Sequence, residues 1–142
     1  MRHTEPEYLE LTPEMRTRLE RFREEHRSDP LGDVATTLLY EDASVRVWEM
    51  NLEPGEHTDL HHHACDYLLV IDSGDLVAGI PPKETGAEPF VGRIPAAGNT
   101  VRVPAGGTEW AWNVGEQTYH EILIELKWTP APEPWHANCS SR

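Results

Sequence analysis

The sequence predicts one all-β domain, a sandwich or barrel of about nine short strands, preceded by a single α-helix. Two observations lead there. From residue 34 onward, short apolar runs alternate with clusters of Gly, Pro, Asn, Asp and Ser, and twelve prolines and ten glycines in 142 residues supply the turns. Helical periodicity is confined to residues 11–29. A chain of this length holds one ordinary core.

In LTPEMRTRLERFREEHRSD, residues 11–29, Thr12 is placed to cap a helix and Pro13 suits its first position. Met15, Leu19 and Phe22 recur at i, i+4 and i+7, and Ser28-Asp29-Pro30 ends the segment. Its other faces carry arginines and glutamates with favourable pairs such as Glu14 and Arg18, which reads as a solvated surface on a lid or packing helix. The expected strands are VATTLLY (34–40), VRVWEMNL (45–52), 57–63, 67–71, 75–80, 90–94, 100–103, 109–114 and YHEILIELKW (119–128). Turns fall at 41–44, at Glu53-Pro54-Gly55 and near Ser73-Gly74, with a Pro/Gly-rich excursion at 81–89. The chain thus divides into a helical extension (1–30), a barrel (31–128) and a proline-rich extended tail (129–142) that runs over the surface or a partner subunit.

A net charge of −13 repels phosphate backbones and anionic headgroups, so no nucleic-acid or membrane partner is expected. No apolar run is long enough to span a bilayer, and the first ten residues lack a secretory apolar stretch, so a cytoplasmic location is expected. Cys65 and Cys139 fit neither a CxxC nor a zinc-finger spacing and are expected as free thiols. Phosphate-binding glycine loops, dinucleotide fingerprints and the G-x-S-x-G elbow are absent.

Four of the eight histidines fall within seven residues, at His57, His61, His62 and His63. On a strand, His57, Asp59, His61 and His63 share one face and Thr58, Leu60 and His62 the other. An i, i+2 histidine pair sets two imidazoles side by side, an arrangement suited to a metal. The bland alternative is a solvated, partly protonated edge.

The spacing Gly55, five residues, His61, one residue, His63, three residues, Tyr67, six residues, Gly74 resembles the first motif of the cupin superfamily, G(x)5HxH(x)3–4E(x)6G. Its second motif, G(x)5PxG(x)2H(x)3N, is matched by Gly98, Pro104, Gly106, Glu109 and Asn113. The resemblance covers about residues 45–127 and is similar to the small bacterial single-domain cupins, implying an antiparallel jelly-roll barrel. It also implies one divalent metal, iron(II), manganese(II), zinc(II) or nickel(II), held by the motif residues. His61 and His63 are retained, whereas Tyr67 replaces the motif glutamate and Glu109 the motif histidine.

The remaining set, His61, His63 and Glu109, resembles a two-histidine, one-carboxylate metal site. Other readings stay open: Glu109 in a buried ion pair, Tyr67 as a core residue, or Asp66 as the replacement carboxylate. Tyr67, placed toward the cavity, and His57, on the ligand parity, are the catalytic candidates. His120 shares parity with Ile122, Ile124 and Leu126, making it barrel-facing, and is expected as a satisfied core histidine.

The functional expectation is a metal-binding cupin acting on a small organic molecule as a dioxygenase, isomerase or lyase, with the metal as Lewis acid or oxygen activator. The alternative is a ligand-binding or sensing cupin without turnover. A homodimer is expected from the resemblance.

Overall fold

The structure is a computed structural model, and it describes residues 6–129 and 137–138. Helix α1, Pro13–Glu25, starts where the sequence places it, with Pro13 in the first turn and the Thr12 hydroxyl accepting the Met15 amide N–H at 3.1 Å. The strands are β1 (Glu7–Tyr8), β2 (Thr37–Glu41), β3 (Val45–Leu52), β4 (His61–His62), β5 (Asp66–Ser73), β6 (Leu76–Ile80), β7 (Phe90–Arg93), β8 (Asn99–Val103), β9 (Thr108–Asn113), β10 (Tyr119–Leu126), β11 (Trp128–Thr129) and β12 (Ala137–Asn138).

Two five-stranded antiparallel sheets form the jelly roll: a first in the order β1-β7-β6-β9-β4 and a second in the order β2-β3-β10-β5-β8. Strands β11 and β12 pair separately, while the rest of the tail, residues 130–136 and 139–142, lies outside the described residues.

Each sheet alternates along its strands, which decides what faces inward. On β9, Trp110 points outward and is fully buried beneath α1 with Leu19, Phe22 and Ile80, whereas Glu109 and Ala111 point into the cavity between the sheets. The helix is therefore packing material on the outer face of the first sheet, and of the two expected roles the lid is not realised. Arg23 extends from it to bond the Pro81 and Ala87 carbonyls, both at 3.2 Å, and pins the 81–89 excursion.

Strand β10 corrects the expectation for His120. Tyr119, Glu121, Leu123 and Glu125 are the buried residues, and His120, Ile122, Ile124 and Leu126 take the other, half-buried face. His120 sits on that face between Glu49 (2.8 Å) and Asp72 (2.6 Å), which raise its pKa, and so ties β3, β10 and β5 together. Inside, Glu125 accepts from Arg46 at 2.8 Å and from the Trp48 indole at 2.6 Å, a buried charge with its partner.

The expected free thiol at Cys65 is also overturned: the residue is disulfide-bonded and buried. Cys139 lies outside the described residues. Among the described residues, no helix is long and apolar enough to cross a membrane.

Candidate metal centre

The inner faces of the two sheets enclose a cavity of about 500 Å³. Met50, Leu69, Ile71, Val101 and Leu123 give it apolar walls, and Tyr8 and Phe90, in edge-to-face contact at 5.4 Å, stand among its lining residues. His61, His63, Tyr67, Glu109, Tyr119 and Glu121 supply its main polar groups.

Antiparallel pairing of β4 with β9 brings the first three ligand candidates together. His61 is the register partner of Glu109, so their side chains leave the same face of neighbouring strands. His63, just beyond β4, is fixed by the motif-two turn: its N–H donates to the Gly107 carbonyl and its carbonyl accepts from Gly106, both at 2.8 Å. Gly106 has φ +114°, a conformation that side chains disfavour, which is why this turn needs glycine. Gly98, at φ +75°, has a second reason, since a Cβ there would run into the Ile71 carbonyl.

One potential ligand atom from each of His61, His63 and Glu109 lies within 4.8 Å of the others. The His61 Nδ1–H donates to the Asp59 carbonyl at 2.9 Å, leaving Nε2 with its lone pair for the site. Burial, reinforced by His63, holds the His61 pKa below the usual imidazole value, which favours the neutral, ligating form.

His63 Nε2 and Glu109 Oε1 stand 3.7 Å apart, too far for a hydrogen bond, and His63 Nδ1 is buried without a partner among the described residues. Two imidazoles and a carboxylate, close but not bonded to one another, are a donor set suited to a divalent transition ion.

Tyr67 also enters the cavity, with its ring stacked on His63 at a centroid distance of 3.9 Å. Burial, then the negative charges of Glu109 and Glu121, push its phenol well up, so it stays protonated as a neutral hydrogen-bonding group.

Other candidates go elsewhere. Asp66 accepts from the Ala105 amide at 2.9 Å and pairs with Arg102 at 3.3 Å, which removes it as the replacement carboxylate. His57, expected as a catalytic group, is corrected: its ring packs edge-on against Phe22 and His26 and does not line the cavity. The parity reading assumed one strand over 57–63, but β4 holds only two residues, and the backbone reorients between His57 and His61. Asp59 likewise turns outward against Gly32, and His62 is exposed beside Thr108.

Sequence reasoning missed Glu121 and Tyr119. Tyr119 Oη donates to Glu121 Oε1 at 2.5 Å, and burial raises the Glu121 carboxyl to about 7. The one available signal was the alternation Tyr119, Glu121, Leu123, read with the opposite face inward.

No protein-family model matches the chain. Auxin-binding protein T85 of Nicotiana tabacum is similar, 23% identical over 101 residues, covering 68% of this chain and 53% of that protein. Auxin-binding protein 4 of Zea mays is 24% identical over 100 residues, covering 68% of this chain and 48% of that protein. The chain spans about half the length of the curated relatives it matches. Among solved structures, a cupin domain from Bordetella pertussis superposes with a TM-score of 0.55 at 20% identity, covering 68% of this chain and 99% of that one. An RmlC-like cupin family protein with a double-stranded β-helix fold from Methanocaldococcus jannaschii gives 0.52 at 19% identity, covering 70% and 84%. At these identities the likeness is one of fold, and the jelly roll is that of the cupins.

Proposed function

We propose that this cupin-fold chain binds one divalent metal ion through His61, His63 and Glu109 and acts on a small, largely apolar organic molecule held in the adjoining cavity. The observation that carries this reading is the convergence of three donors from β4, the residue beyond it and β9 to within 4.8 Å on a cavity wall. Iron(II), manganese(II), nickel(II) and zinc(II) all suit two imidazoles and a carboxylate. When bound, such an ion supplies a Lewis acid or an oxygen-activating centre for dioxygenase, isomerase or lyase chemistry. Around it the chain's own groups divide the work. His61 stays neutral because it is buried, Tyr67 keeps its proton beside His63, and the aliphatic walls exclude water.

Elemental analysis and calorimetric titration of untagged protein with manganese(II) and zinc(II) test this. We expect one ion per chain and no change in affinity for Tyr67→Phe. Glu109→Gln and His61→Ala should lose more than the roughly 10–100-fold that follows loss of a group merely orienting a ligand. A wild type that takes up no ion would overturn the metal reading in favour of a ligand-binding or sensing protein without turnover.

We propose further that two copies associate through the outer face of the second sheet, where Val47, Leu68, Val70, Ile122 and Ile124 are only half-buried. Sedimentation at micromolar concentration should give twice 16.1 kDa. A monomer would remove the homodimer.

A further inference from the structure

We infer that Glu121 is a second ligand-binding point in the cavity and that the ligand it takes is an amine carried on an apolar body. The inference rests on reading the cavity as a small-molecule site, but not on the metal. Glu121 stands on β10, in the sheet facing the one that carries His61 and Glu109, and is 3% exposed. Its Oε1 accepts from the Tyr119 hydroxyl, while Oε2 is buried with no hydrogen-bond partner among the described residues.

A buried carboxyl oxygen left unpaired is costly, and native structures rarely keep one without a reason. Because the side chain lines the cavity, a turn of its terminal carboxyl presents Oε2 to a donor held inside.

The cavity's charge then selects the kind of donor. No lysine or arginine is found among the described residues that line it, whereas Glu109, Glu121 and the exposed Glu88 do. An anionic end would meet no side-chain counter-charge. An ammonium group would close Oε2 with a charge-assisted bond, while its hydrocarbon part contacts Met50, Ile71 and Leu123. With Tyr119 and His120 on the same strand, Tyr67 from β5 and Glu109 from β9 as its ionisable surroundings, Glu121 changes protonation near neutrality, and an arriving cation stabilises its ionised form.

Benzylamine, benzyl alcohol and benzoate share one apolar body and differ in the end group. Each is titrated calorimetrically at pH 8 into the full chain after chelator treatment, alongside Glu121→Gln and Tyr119→Phe, with circular dichroism to check folding. We expect benzylamine to bind about tenfold or more tighter than benzoate, the worth of one charge-assisted hydrogen bond. Glu121→Gln should cut that preference severalfold, Glu109 and Glu88 leaving a smaller background, and Tyr119→Phe should keep it. Benzoate binding as well as benzylamine in the wild type, which needs no variant, would overturn the inference. So would an undiminished preference in folded Glu121→Gln, or failure of all three probes at millimolar concentration. Manganese(II) titration of the same preparation reports on the metal reading separately.

Discussion

Ionising a carboxyl group inside an apolar cavity is costly, and at Glu121 that cost makes stability depend on pH. Burial raises its pKa from 4.5 to about 7. Between those values the folded chain holds a proton that the unfolded chain has lost, so the group's contribution to stability falls as pH rises through the window. Above about pH 7 the folded state carries the whole deficit, of order 3 kcal/mol. Glu121→Gln should therefore be more stable than the wild type at pH 8 by up to about 3 kcal/mol, with the advantage gone near pH 4. Urea unfolding of both proteins across this range decides it, and parallel profiles would refute a raised carboxyl. His61 has the opposite sign: its lowered pKa favours the folded state above about pH 6.5, and that contribution is lost as pH falls.

At the scale of elements, α1 and the first sheet form one packed unit. Leu19 is fully buried, and Phe22 meets Trp110 edge-on at 5.6 Å and stacks on Trp112 at 4.6 Å. Truncating Leu19 leaves a void that the sheet beneath cannot fill, so Leu19→Ala should cost about 2–5 kcal/mol. Metal affinity should be unchanged wherever the variant is folded, because the helix covers the face of β9 opposite Glu109. Denaturant unfolding beside metal titration checks both halves. A loss of metal affinity without a comparable loss of stability would make the helix part of the site.

For the whole molecule, the proposed ligand set, drawn from β4, the residue after it and β9, would link metal binding to folding, since the unfolded chain holds no such cluster. An ion present at about 100 times its Kd should add about 2.7 kcal/mol and raise Tm by several degrees, reversibly with chelator. Scanning calorimetry with and without zinc(II) or manganese(II) tests this, and an unmoved Tm would argue against the centre.

What the sequence by itself determined was local. Thr12 and Pro13 start a helix because capping is a property of neighbouring residues. The motif glycines fall at turns because their backbone conformations exclude side chains: Gly55, Gly74, Gly98 and Gly106 all have positive φ. The closeness of His61 and His63 was legible from their i, i+2 spacing, whereas Glu109 joins them only through the long-range pairing of β4 with β9. What only the tertiary structure decided was which face of a strand turns inward when both are apolar. On β10, Ile122 and Ile124 made the outer face look like a core, and Glu125 is inside because Arg46 and Trp48 from β3 meet it, while Glu121, on the same face, is met by Tyr119 of its own strand. His57 left the site for the same reason, since where a strand is interrupted depends on contacts between residues far apart in the chain.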